Sequence, residues 1–142
     1  MSPPPRTSDE EARVRCDVDG PVATITLTRP DRRNAQTPLT WAGLRTMGSD
    51  LSADVRLVVV RGEGALFSAG LDRAVFTPEG LPDGPTFLDV AHAPAAEAER
   101  IVEGFQEAFS WLSRPDIVSV AAVQGHAVGA GGPGARRLAQ SR

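Results

Sequence analysis

Tyrosine is missing from this sequence, cysteine occurs once, and aromatic residues make up only 5% of it. A lone Cys16 allows no internal disulfide and no cysteine-rich zinc site, which fits a reducing compartment. So few aromatics leave the core to Val, Leu, Ile and Ala. Excess positive charge is lacking too, since the formal net charge is −3. That excludes nucleic-acid binding through a broad basic field, while local arginines can still serve an anionic small ligand. No apolar run approaches the roughly 18 residues of a membrane span. Met1 to Arg15 is rich in Pro, Glu and Arg and lacks the apolar stretch of a secretory signal. The expected location is the cytoplasm.

What is present fits an ordinary globular protein. The 142 residues are 41% hydrophobic and 23% charged, enough for one small domain or a large part of a bigger one. Residues 1–12 read as a disordered tail, with stiff Pro3, Pro4 and Pro5 followed by solvated Asp9, Glu10 and Glu11. A hairpin is predicted next. Val14, Cys16 and Val18 alternate with polar residues, Asp19-Gly20 supplies the turn, and a second alternating run continues to Thr28 before Pro30 ends it. Thr37-Pro38 has the form of an N-cap with Pro at the first helical position. Trp41, Leu44 and Leu51 follow at helical spacing, although Gly43 and Gly48 each weaken that helix by about 1 kcal/mol against Ala.

Leu57 to Val60 and Ile117 to Val123 are apolar runs predicted as strands buried on both faces. Between them, residues 76–94 carry six prolines and glycines and are predicted as a mobile loop. Ile101, Phe105, Ala108, Phe109 and Leu112 then mark an amphipathic helix with Glu97, Glu99 and Glu103 outward. Two strand–helix–strand crossings predict an α/β layer with parallel pairing.

Three segments carry a resemblance. They are GPVATITLTRPDRRNA (residues 20–35), LVVVRGEGALFSAGLD (57–72) and SVAAVQGHAVGAG (119–131). In this order and at these separations the chain resembles the N-terminal half of the enoyl-CoA hydratase/isomerase (crotonase) family. The resemblance implies a crotonase-like α/β fold of repeated β-β-α units, here partial and spanning residues 13–131. It implies an acyl-CoA thioester as substrate, a role in fatty acid metabolism as a lyase or isomerase, and assembly into trimers or hexamers. Coenzyme A would enter as part of the substrate, with no separate cofactor and no metal.

In that family two backbone N–H groups hold the thioester oxygen as it becomes enolate-like. The resemblance places one donor at Leu71 and the other at Ala130. It places Arg32, Arg33 and Ala35 along the coenzyme A channel, and makes Ala69, Gly70, Asp72, His126 and Gly129 further candidates for substrate binding. Physical reasoning agrees for the donors: the small residues Ser68, Ala69 and Gly70 let a ligand approach the main chain closely, and a strand ending in Gly129-Ala130-Gly131 before a helix would point N–H groups at an anion. For Arg32 and Arg33 the competing reading is solvated loop arginines. For Asp72 it is capping of local N–H groups rather than proton transfer, and for His126 a structural or lining role rather than a base. Ser68 lies in no G-x-S-x-G elbow. His92, Glu63 and Cys16 read as inert loop, turn and core residues. Trp41, Phe105, Phe109 and Trp111 read as core or interface.

The pattern breaks after Gly131. Pro133 stands where hydratases of the family carry an acid/base Glu. Residues 132–142, with Pro133, Gly134, Arg136 and Arg137, do not form the long apolar helix the family places there. A frameshift or early stop near Gly132 is the expected origin, with loss of the second acid/base position and of much of the acyl pocket. The expected consequences are a marginal fold with exposed apolar patches and no ordinary turnover. Two other functions stay open: a non-catalytic remnant that binds coenzyme A or a partner, and a dinucleotide-binding module on the G-x-G-x-x-G run from Gly129 to Gly134.

Overall fold

The computed structural model describes residues 6–9, 11–81 and 86–129. Five strands form one sheet in the order β1-β2-β3-β4-β5. They are β1 (Arg6–Asp9), β2 (Val14–Asp19), β3 (Val22–Leu27), β4 (Leu57–Gly62) and β5 (Val118–Ala122). The first two pairings are antiparallel and the last two parallel. Helix α1 (Pro38–Asp50) makes the crossover from β3 to β4, and α2 (Phe87–His92) and α3 (Ala95–Ser110) lie between β4 and β5. The predicted mixture of a hairpin with parallel crossovers is therefore the observed α/β architecture.

The hairpin register follows from its alternation. Val14 faces Leu27 and Cys16 faces Ile25 across β2 and β3. Ala23 and Ile25 in turn stand beside Val58 and Val60 of β4. These residues form one core cluster with Trp41, Leu44 and Met47 of α1, and Phe105 and Phe109 of α3 pack against it. Burial and the neighbouring Asp17 charge push the Cys16 thiol up, so it stays a protonated core residue.

Helix α1 starts as its sequence predicts. The Thr37 hydroxyl accepts from Thr40 N–H while the Thr40 hydroxyl accepts from Thr37 N–H, which closes a capping box around Pro38. Gly48 has a packing reason: a Cβ there would stand 2.5 Å from the Trp111 ring. The helix gives up propensity to let that indole close over it.

Three expectations are corrected. The disordered tail is contradicted over Arg6–Asp9, which form β1 and pair with β2, and Ala12 is buried. An edge strand needs only a partner's free backbone row, so polar residues serve. The loop expected over residues 76–94 contains α2, because Thr86 and Asp89 form a second capping box and Phe87 stacks toward Trp41 and Phe105. The strand β5 is buried on one face only. Ser119 is buried, while Val118 is 56% and Val120 44% exposed. Val123 and Val128, which follow the strand, are exposed as well. Among the described residues, no helix is long and apolar enough to cross a membrane.

Candidate functional site

The segment from Phe67 to Asp72 runs on from the end of β4 between two other stretches of chain. On one side lie residues 33–36, which precede α1. Ala69 N–H donates to Arg33 O (2.8 Å), Gln36 N–H to Gly70 O (2.7 Å) and Asp72 N–H to Gln36 O (2.8 Å). On the other side lie residues 124–128, which follow β5. Phe67 N–H donates to Gln124 O (2.8 Å), Ser68 N–H to His126 O (3.2 Å) and Val128 N–H to Ser68 O (3.0 Å). Parallel bridges Gln36–Leu71 and Ser68–Ala127 fix the register on the two sides.

This wiring singles out one group. Every backbone N–H from Phe67 to Asp72 has an acceptor among the described residues except that of Leu71. The reason is geometric. In a parallel bridge the bonds come from the residues that flank the bridged one, here Gly70 O and Asp72 N. The bridged residue points its own N–H away. Leu71 therefore aims its N–H off the Gln36 side, and it is only half buried. A backbone N–H with no acceptor among the described residues, on a half-buried residue, can donate to an incoming oxygen.

Gly70 makes the aim possible. Its φ of +89° is open to glycine, and a Cβ would stand 2.5 Å from Val128 O. Gly129, also at positive φ (+57°), lies against it: a Cβ there would be 3.6 Å from Gly70 Cα. The two small residues bring the chain after β5 up against Gly70, beside Leu71. Ala130, expected as the second donor, lies outside the described residues, as do Gly131, Pro133 and the rest of the glycine-rich run.

The other site residues fall as follows. Asp72 Oδ1 accepts from Ala74 N–H (2.9 Å) and Oδ2 from Arg29 (2.7 Å). The same Arg29 donates to Ala35 O (3.2 Å), which ties Ala35 to Asp72. Burial raises the Asp72 carboxyl. The Ala74 N–H, the Arg29 hydrogen bond and the charges of Arg29 and Arg32 outweigh it, and the group titrates below the usual carboxylate range. A carboxylate so held caps and braces the loop and is a poor proton carrier. Arg32 and Arg33 are exposed; neither guanidinium makes a side-chain hydrogen bond or ion pair among the described residues, and the Arg32 charge acts on Asp72 through space. His126 uses its carbonyl for Ser68, and its side chain is exposed. The structure thus gathers Arg33, Ala35, Ala69, Gly70, Leu71, Asp72, His126 and Gly129 around one short segment.

Sequence reasoning missed four residues that hold this segment. Arg29 joins Asp72 to Ala35. Buried Asn34 donates to Glu63 O and Leu66 O and accepts from Arg29 N–H. Buried Gln36 and Ser68 bond to each other. In the sequence Ser68 reads as a small residue set aside as a nucleophile, not as a holder of the segment. Its hydroxyl is wholly buried and engaged, which removes it as a nucleophile. The one signal available was Asn34 itself, since Asn at the end of a tight turn tolerates the left-handed φ of +53° it adopts. Among the described residues no three His, Cys, Asp or Glu side chains gather as a metal site would need.

Comparison with known proteins gives a consistent result. The enoyl-CoA hydratase/isomerase family matches residues 17–133. A crystal structure of a Thermobifida fusca YX protein assigned as an enoyl-CoA hydratase, in complex with acetoacetyl-CoA, superposes with a TM-score of 0.82 at 44% identity, over 89% of this chain and 48% of that one. The Mycobacterium tuberculosis protein EchA14, assigned as an enoyl-CoA hydratase, is 38% identical over 121 residues, 83% of this chain and 41% of its own length. Human mitochondrial Delta(3,5)-Delta(2,4)-dienoyl-CoA isomerase is 33% identical over 109 residues, covering 75% and 32%. The chain spans less than half the length of each of these relatives.

Proposed function

Because the chain belongs to the enoyl-CoA hydratase/isomerase family, we propose that it binds an acyl-CoA thioester with the carbonyl oxygen against the Leu71 N–H. The observation that supports this reading is the wiring of Phe67 to Asp72, in which the Leu71 N–H alone has no acceptor among the described residues. A fixed N–H aimed at a developing oxyanion costs no reorganisation, and one such donor is worth roughly 2.7–4 kcal/mol of barrier. Ala130 N–H is the second donor in this reading. A relative solved with acetoacetyl-CoA supports the ligand class.

The remaining residues take supporting roles. Arg32 and Arg33, exposed on the turn before Asn34, offer charge to the phosphates of coenzyme A. Asp72 braces the donor segment through Arg29. Coenzyme A comes as part of the substrate, and no separate cofactor enters. Among the described residues the carboxylate next to Leu71 in the chain, Asp72, is held ionised and braces the segment rather than carrying a proton.

The test is an NMR titration with acetoacetyl-CoA, with coenzyme A as control. The Leu71 amide proton moves downfield with the thioester and not with coenzyme A. An amide that ignores both ligands overturns the proposal.

A further inference from the structure

We infer that a buried relay, Trp41–Gln36–Ser68–Gly70, positions the Leu71 donor, so that Ser68 and Gln36 are positioning residues of the thioester site. The relay deepens the acyl-CoA reading and rests on it for its purpose. Its geometry stands apart from that reading.

Ser68 is the hub. A hydroxyl has one proton to donate and two lone pairs to accept with. Ser68 Oγ donates to Asn34 O (2.8 Å) and accepts from Gly70 N–H (3.1 Å) and Gln36 Nε2 (3.2 Å). All its capacity is used, and the residue is 0% exposed. The bond to Gly70 N–H folds residues 68–70 tightly. That fold sets the direction in which the next peptide, carrying the Leu71 N–H, leaves the positive-φ Gly70.

Gln36 fixes the hub. Indole nitrogen only donates, so Trp41 Nε1, 3.0 Å from Gln36 Oε1, determines which end of the amide is oxygen. The amide nitrogen is then left for Ser68. Gln36 also holds the donor segment through its own backbone, by its N–H to Gly70 O and its carbonyl from Asp72 N–H. Trp41 belongs to α1 and packs against Phe105 of α3 with ring centroids 4.7 Å apart. The helix pair is thereby wired to one N–H at the site through buried polar groups. A core satisfied without them would be simpler, because each such group costs free energy if its partner moves.

A merely structural network would stabilise the fold and leave the donor's direction unchanged when cut. The test therefore reads direction. Residual dipolar couplings of backbone N–H groups are measured on the whole 15N-labelled chain, and acetoacetyl-CoA and coenzyme A affinities are measured by calorimetry. The variants are Ser68→Ala and Gln36→Met. Both keep every bond between backbone groups, and the second serves if the first does not fold.

In either folded variant the Leu71 coupling shifts while those of β3 and β4 hold. The acetoacetyl-CoA affinity falls by about tenfold, as for one misdirected hydrogen bond, and the coenzyme A affinity stays. Unchanged Leu71 coupling in a folded variant overturns the relay. Failure of both variants to fold while Trp41→Phe folds with an unchanged Leu71 coupling also overturns it, in favour of a purely structural network. A wild-type chain that binds neither ligand removes the acyl-CoA reading, and the couplings still decide the relay.

Discussion

Asn34 is the residue whose loss should cost this fold most for its size. It is 2% exposed and sits at φ +53°. Its amide nitrogen donates to Glu63 O (2.8 Å) and Leu66 O (3.1 Å), and its amide oxygen accepts from Arg29 N–H (3.0 Å). Asn34→Ala removes all three and strands their partners, at roughly 1 kcal/mol for each bond. Alanine also tolerates the left-handed conformation less well than asparagine, by about 1 kcal/mol. The expected destabilisation is about 4 kcal/mol, read by urea unfolding followed with circular dichroism. Asn34→Gly loses the same bonds without the backbone penalty and should recover about 1 kcal/mol of that. Asn34→Asp keeps the acceptor for Arg29 but turns a carboxylate oxygen toward two carbonyls. It should be as unstable as the alanine variant at neutral pH and regain ground in acid, where the protonated carboxyl can donate. A cost below about 1.5 kcal/mol for Asn34→Ala would refute the premise that this side chain, rather than the surrounding backbone, clamps the loop.

Three further outcomes follow from particular contacts. Gly70→Ala meets both a positive φ and the Val128 oxygen, so it should cost about 2 kcal/mol or more and alter the Val128 and Gly129 amide signals; unchanged signals and stability would remove the close approach. The Asp72 carboxyl titrates below its unfolded value of about 3.9, so its contribution is full above that value and is lost as pH falls through the folded one. Asp72→Asn should therefore flatten the acid limb of the stability curve relative to wild type, and parallel curves would sink the argument. Thr26 is 1% exposed, and its hydroxyl has no partner among the described residues, so Thr26→Val should stabilise the chain by about 1 kcal/mol in thermal unfolding, whereas a loss would reveal a partner.

The parts of the fold that sequence revealed are those built by neighbours in the chain. The β2–β3 hairpin depends on alternation and an Asp19-Gly20 turn, and α1 on a cap spanning Thr37 to Thr40. Both lie within a few residues, where propensity and pattern act directly. Strand β1 was hidden because nothing in Arg6–Asp9 favours a strand until the free edge of β2 is offered to it. Helix α2 was hidden because its short capping box sits among prolines and glycines, and its support comes from Trp41 and Phe105 far along the chain.

The candidate site divides the same way. Gly70 and Leu71 stood out within one motif, yet what aims them does not. Ser68 reaches Asn34 across 34 positions, and Arg29 reaches Asp72 across 43. No local pattern distinguishes Gln36 from any other polar residue before a helix. Only when the parallel bridge sets Gln36 beside Leu71 does its side chain meet Ser68 on one side and Trp41 on the other. A backbone donor leaves no side-chain mark at its own position, so its sequence trace lies in the residues that hold it. If Leu71 is such a donor, as proposed, those residues are Asn34, Gln36, Ser68 and Gly70, and substitutions at these four should move its N–H more than substitution of the Leu71 side chain itself.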